Sequence, residues 1–254
     1  MKRRNLLLLG GIAAWVWGVP RLYQAFNERF QFDPIPGLDG FRIVNRGSVS
    51  GATDIALLAV DRVSDAQRSL RADLRINPCS IFDGARSSEK LPLAVFTDYY
   101  CPYCPEMSDL VIELSEGASP VTPVWWDLPL LGPRSEYAAR VAIAAGNQGQ
   151  YLPVHQHLMH KPLRPGPVAL NELAERFDLD VEKLRRDMQA KQTDLKLETA
   201  HAARAVFGMI GTPSVVVGRS VLIGRASKQS FLDLIELEYN SGEFSDSCGQ
   251  NGSP

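Results

Sequence analysis

The sequence predicts an α/β protein, in which a β-sheet is covered by helices on both faces. Short apolar runs rich in branched and aromatic residues alternate with longer runs of helical periodicity, and a late pair of short β-rich runs precedes one more amphipathic helix. The chain has 254 residues, of which 45% are apolar, and this is enough for a sizeable core. The net charge of -2 gives no indication of nucleic-acid binding, and we expect none.

The N-terminus has the pattern of a targeting segment. Arg3 and Arg4 precede an uncharged apolar run at residues 6–17. A basic region followed by a short apolar region is typical of an export signal. We therefore interpret residues 1–20 as an export signal or, because no small-x-small cleavage site follows, as a membrane anchor. The paired arginines partly match a twin-arginine signal. In either case the rest of the chain works outside the cytoplasm, where disulfides persist.

Residues 21–85 form the next segment, which we expect to be a tether or an irregular lead-in. Its first half is rich in glycine and proline, and only residues 41–44 favour a strand. Further along, Ser64 is a suitable N-cap for a short helix that reaches about Leu74.

The pattern of strands and helices becomes clearer from residue 91. Residues 91–97 predict a buried strand, and Cys101 then stands at a helix start with Pro102 in the first helical position. The remaining predicted elements are strands at 121–126, 213–217 and 221–223, helices at 135–145, 151–160, 170–177, 181–190 and 194–207, and a final helix capped by Ser227.

Cys101 and Cys104 could be half of a metal site, a redox pair, or two cysteines that only pack. A zinc site needs four ligands, and the chain's four cysteines contain no second close pair. We interpret His155, His157 and His160, which cluster on one predicted helix, as solvated side chains. Inert packing is the least expected of the three, because adjacent thiols outside the cytoplasm oxidise readily. A redox pair fits best, since a helix N-terminus stabilises a thiolate.

A second feature lies more than a hundred residues further along. Thr212 and Pro213 open a β-rich run, and a proline is tolerated at the first residue of a strand. Whether the bond before Pro213 is cis does not follow from the sequence.

These features together resemble the DsbA/DsbG-type branch of the thioredoxin superfamily. The resemblance is carried by Phe-Thr-Asp-Tyr-Tyr-Cys-Pro-Tyr-Cys at residues 96–104, by a helical block, and by Thr-Pro-Ser-Val-Val-Val-Gly at residues 212–218 ahead of an amphipathic helix. It implies a thioredoxin fold with an inserted helical subdomain. The implied domain covers residues 86–245, with the insertion at about 132–207, and residues 246–254 form a tail.

The resemblance also implies an enzyme, a protein disulfide oxidoreductase acting in the periplasm. Cys101 would be the nucleophile, Cys104 the resolving thiol and Pro213 a cis-proline beside them, while Thr212 would touch the sulfurs and tune their redox poise. We expect no cofactor and no metal. The implied partners are protein thiols or disulfides and a recycling partner, for which a membrane protein is a candidate, and a monomer is favoured over an oligomer. The sequence leaves open whether the protein acts as an oxidase, an isomerase or a reductase.

The chain departs from the family pattern at two places. Pro105 directly follows the second cysteine, where we expect it to distort the helix. Val95 stands where some relatives have a buried acid, which leaves Asp98 or water to transfer protons. The alternative from another class of function is a metal-handling or chaperone-like binding protein that uses the fold without redox turnover.

Cys79 and Cys248 are predicted to form a structural disulfide. Each lies in a polar, turn-like stretch without a helix start that would activate a thiol. If Cys101 pairs with Cys104, each of these two cysteines has only the other as an intramolecular partner. The alternative is two free or intermolecular thiols.

Overall fold

The computed structural model describes residues 30–51, 63–85, 90–116, 120–242, 244 and 248. The chain divides into two units, Met1–Asp33 and Pro34–Pro254. The predicted export signal or anchor at residues 1–20 lies outside the described residues. Within the described ranges, no helix is both long and apolar enough to cross a membrane.

The second unit is built on a mixed sheet. After a short strand β1 (Phe32–Pro34) that crosses the division, the strands are β2 (Arg42–Arg46), β3 (Leu91–Thr97), β4 (Val121–Asp127), β5 (Ser214–Val217) and β6 (Ser220–Ile223). Within this unit their order is β2-β6-β5-β3-β4. The pairs β2–β6 and β3–β4 are parallel, while β5 runs antiparallel to both of its neighbours. Every residue of β3 is buried, as expected for a central strand that is covered on both faces.

The described helices are α1 (Asp65–Ile76), α2 (Cys104–Ser115), α3 (Pro133–Gly146), α4 (Tyr151–His160), α5 (Pro167–Arg176), α6 (Val181–Met188), α7 (Lys191–Val206) and α8 (Lys228–Ser241), with a 3-10 helix at Pro78–Phe82. Ser64 and Ser227 cap α1 and α8 through their side chains, as predicted. Helices α3 to α7 form the insertion between β4 and β5. Strands and helices therefore alternate as the sequence indicates, and the α/β class is confirmed.

The lead-in differs from the expected tether. Strand β2 lies inside it and pairs with β6, and a buried carboxylate holds the pairing from α8. Glu238 is 1% exposed and accepts hydrogen bonds from Arg42 Nη2 at 2.8 Å and from the amide of Arg219 at 3.1 Å. Residues 41–44, which the sequence indicates only weakly as a strand because a short strand between turn formers has little periodicity, overlap β2.

A disulfide joins Cys79, in the 3-10 helix, to Cys248 near the end of the chain. Their Cα atoms are 5.5 Å apart across a sequence separation of 169 residues, and both residues are buried. Beside them the rings of Phe82 and Phe244 meet edge to face at 5.3 Å. The segment before β3 is therefore tied to Cys248 in the C-terminal tail, which is the pairing predicted from the sequence.

Candidate active site

Cys101 and Cys104 lie between the end of β3 and the start of α2. Both are free thiols and are buried, with 2% and 0% of their surface exposed. The predicted helix start at Cys101 and Pro102 is wrong by one turn, because these residues form a turn and the helix begins at Cys104. Pro105 therefore falls in the first helical turn, where an N–H has no partner within the helix, and the expected distortion does not occur.

The loop before β5 closes over the first cysteine. The Thr212–Pro213 bond is cis, and the Sγ atom of Cys101 lies 3.3 Å from the Thr212 carbonyl oxygen. Ser50 and Thr212 form an antiparallel bridge with two backbone hydrogen bonds of 2.8 Å. A Cβ on Gly211 would lie 2.6 Å from the Ser50 carbonyl oxygen, so this close approach requires glycine. Ser50 thus belongs to the site although it comes from the predicted lead-in.

The two thiols have opposite electrostatic environments. A hydrogen bond from Cys104 is the main cause that lowers the pKa of Cys101 to about 6; burial opposes it, while Thr212, the Tyr103 amide and Ser50 lower it further. Burial and the neighbouring Cys101 raise the pKa of Cys104 well above its ordinary value. At neutral pH the pair therefore consists of one thiolate and one thiol, which is the arrangement that disulfide exchange needs.

Asp98 holds the turn that precedes the cysteines. Its carboxylate is 2% exposed and accepts the amides of Tyr100 at 2.8 Å, Leu130 at 2.7 Å and Leu131 at 3.1 Å. These contacts join the turn before Cys101 to the loop after β4. The carboxylate is therefore engaged with backbone amides from both sides.

A buried polar network beneath the site was missed by the sequence. Asp127, the last residue of β4, accepts a hydrogen bond from the Tyr99 hydroxyl at 2.7 Å. The same hydroxyl lies 3.0 Å from Nδ1 of His155, whose Nε2 lies 2.7 Å from the Ser108 hydroxyl. The interpretation of His155 as solvated is wrong, because this residue is on the inner face of α4 and is 0% exposed.

The other histidines of α4 face outward. His157 is half-buried and His160 is exposed, where it contacts Asp109. Across the described parts of the chain, no group of three or more His, Cys, Asp and Glu side chains is arranged to hold a metal ion.

Comparison with known proteins places the chain in a family. A model of the DSBA-like thioredoxin domain matches residues 92–236, a range that includes both cysteines and Pro213. The chain belongs to this family. The DSBA-like domain has a thioredoxin-like fold with a helical insertion, so the predicted fold is confirmed.

Solved structures agree with the family assignment. A thioredoxin-like oxidoreductase from Silicibacter pomeroyi DSS-3 is 28% identical, with a TM-score of 0.58 over 65% of this chain and 98% of that chain. The thiol-disulfide exchange protein alpha-DsbA2 from Wolbachia pipientis is 16% identical, with a TM-score of 0.57 over 68% of this chain and 98% of that chain. The second match shows the fold alone.

A curated protein named for another activity also matches part of this chain. It is the Na(+)/H(+) antiporter NhaA 1 from Salinispora arenicola, 30% identical over 139 residues, which are 53% of this chain. The match covers 21% of the relative, so this chain spans about a fifth of its length.

Proposed function

We propose that this chain is a thiol:disulfide oxidoreductase that exchanges disulfides with protein substrates outside the cytoplasm. The observation that supports this most is the environment of Cys101, which lies beside the cis Thr212–Pro213 bond, accepts a hydrogen bond from a protonated Cys104 and has a pKa of about 6. A thiolate at neutral pH is the reactive form in disulfide exchange.

The reaction follows from the protonation states of Cys101, a thiolate, and Cys104, a thiol. The Cys101 thiolate attacks a substrate disulfide, an S–S bond forms to one substrate sulfur, and the other leaves as a thiolate and takes a proton from solvent. Cys104 then loses its proton and attacks Cys101 Sγ, which releases the second substrate thiol. The substrate gains two electrons and the cysteine pair becomes a disulfide; in reverse, the pair oxidises the substrate. An oxidase, an isomerase and a reductase share these residues and differ in the reduction potential of the pair and in the redox partner.

The proposed location and partners rest on the N-terminal sequence and the family. The basic and apolar pattern of residues 1–20 supports export of the domain to the periplasm. Net oxidation or reduction requires a redox partner there, because each such turnover leaves the cysteine pair in the opposite state. Sodium–proton exchange is not carried over from the antiporter relative, since the match covers only 21% of that protein.

Trapping of a mixed disulfide tests the proposal. Cys104→Ala removes the resolving thiol, so a protein with accessible disulfides should stay bound to Cys101 through a bond that dithiothreitol cleaves. Cys101→Ser is the matched control and should trap nothing. If both variants trap equally, or if the unaltered protein neither reduces nor oxidises any model substrate, the proposal is wrong.

A further inference from the structure

One buried imidazole connects both flanks of the cysteine pair. His155, from the helical insertion, has Nδ1 3.0 Å from the hydroxyl of Tyr99, in the turn before Cys101. Its Nε2 lies 2.7 Å from the hydroxyl of Ser108, on α2 one turn after Cys104. Burial lowers the pKa of His155 to about 3, so the ring is neutral at physiological pH. A neutral imidazole has one N–H, so one nitrogen donates while the other accepts.

Asp127 determines which nitrogen donates. An ionised carboxylate can only accept, so Tyr99 donates to Oδ1 of Asp127 at 2.7 Å and its oxygen then accepts from Nδ1–H of His155. The imidazole Nε2 is left to accept the proton of the Ser108 hydroxyl.

Protonation of Asp127 reverses this chain. The Tyr99 hydroxyl is 2.7 Å from Asp127 Oδ1, whereas the Tyr151 hydroxyl is 3.2 Å from each carboxylate oxygen, and the shorter distance favours a proton shared with Tyr99. Asp127 then donates to Tyr99, and Tyr99 donates to Nδ1 of His155. Nε2–H now donates to Ser108. Between the two states the Tyr99 proton moves to Asp127, the Nδ1 proton moves to Tyr99, the Ser108 proton moves to Nε2, and one proton from solvent replaces it on Ser108; no electrons move.

The surroundings of Asp127 place this change near neutral pH. Burial is the main cause that raises its pKa to about 7; hydrogen bonds from Tyr99 and Tyr151 and the charge of Lys196 oppose it, and the charge of Asp98 adds to it. Asp127 also lines a groove of about 610 Å³, together with Tyr151, Lys196 and other residues.

We propose that His155 is a positioning residue for the exchange reaction, and that the ionisation of Asp127 sets its tautomer. In the Nδ1–H tautomer the Ser108 hydroxyl donates its proton to Nε2 of the imidazole. In the Nε2–H tautomer the hydroxyl can donate to a carbonyl of its own helix, the usual alternative for a helical serine. The start of α2, where Cys104 lies, is held differently in the two states. The consequence for exchange rests on the proposed function, whereas the tautomer change does not.

Nitrogen NMR of the oxidised protein tests the tautomer directly, since a disulfide does not titrate. We expect His155 to carry its proton on Nδ1 above the transition and on Nε2 below it, with the change near pH 7; its signals are assigned by their loss in His155→Gln. Tyr99→Phe should abolish the change. Tyr151→Phe, which removes the other tyrosine bonded to Asp127, should keep it. One constant tautomer between about pH 5 and pH 9, or an imidazolium in that range, would overturn the inference.

Alkylation of the reduced protein tests the positioning role. Loss of the Tyr99 hydrogen bonds should slow labelling of Cys101 at pH 6 about threefold in Tyr99→Phe, whereas Tyr151→Phe should leave it unchanged. Ser108→Ala provides a second variant, which should slow labelling to a similar extent while the tautomer change persists. Unchanged labelling in both Tyr99→Phe and Ser108→Ala overturns the positioning role. Failure of the unaltered protein to exchange disulfides would instead overturn the proposed function and leave the tautomer result standing.

Discussion

Replacement of Cys104 by alanine should raise the pKa of Cys101, because the hydrogen bond from Cys104 is the largest influence on that thiolate. A hydrogen bond to a charged group contributes about 1.5–3 kcal/mol, and about 1.36 kcal/mol corresponds to one pKa unit. Water can partly replace the lost donor, so we expect the lower end of this range and an apparent pKa of about 7. At pH 6 the thiolate fraction, and with it the rate of alkylation, should fall about fivefold.

Cys104→Ser is the matched control, since a hydroxyl can still donate to the thiolate. Its effect on the pKa of Cys101 should be less than half that of alanine. The assay is the ultraviolet absorbance of the thiolate across a pH titration, checked by alkylation rates. If the pKa stays at about 6 in Cys104→Ala, or if serine raises it as much as alanine does, the assigned cause of the low pKa is wrong.

Three further predictions concern stability. In the reduced protein, folding lowers the pKa of Cys101 from an unfolded value of about 8.5 to about 6. This shift stabilises the folded state fully above about pH 8.5, and the stabilisation is lost as the pH falls through about 6. The melting temperature of the reduced protein relative to the oxidised one should therefore fall between about pH 8.5 and pH 6; a constant difference would count against a lowered pKa. Glu238→Ala should cost about 3 kcal/mol in denaturant unfolding, because it removes a buried carboxylate that accepts hydrogen bonds from Arg42, Ser220 and the Arg219 amide, whereas Glu113→Ala at an exposed ion pair should cost under about 1 kcal/mol. Equal costs would contradict the assigned burial. Replacing Cys79 and Cys248 by serine should destabilise the protein by about 2–5 kcal/mol in calorimetry and leave exchange at the cysteine pair intact, and loss of exchange would refute a purely structural role.

Local patterns predicted most of the fold. The strand at residues 91–97, helix α4 and the caps at Ser64 and Ser227 all depend on residues close in sequence, where periodicity and capping chemistry act. The thiol pair could likewise be identified, because its spacing and its position after a buried strand are local features.

The rest of the site depends on contacts between distant residues. Ser50 meets Thr212 across 162 positions, and no short motif in the sequence indicates this bridge. His155 and Tyr99 are 56 positions apart, so the burial of the imidazole follows only from how α4 packs against α2 and α3. The sequence pattern indicates only that Asp127 follows a strand, although this residue is a buried acid on the strand that pairs with β3.

The most direct test of the central claim is the reduction potential of the cysteine pair in glutathione buffers, with mass spectrometry to locate the reduced cysteines. The account predicts one reversible two-electron couple on the peptide that contains Cys101 and Cys104, while Cys79 and Cys248 stay linked in the same buffers. A couple that maps to Cys79 and Cys248, or a Cys101–Cys104 pair that does not cycle between thiol and disulfide, would contradict it.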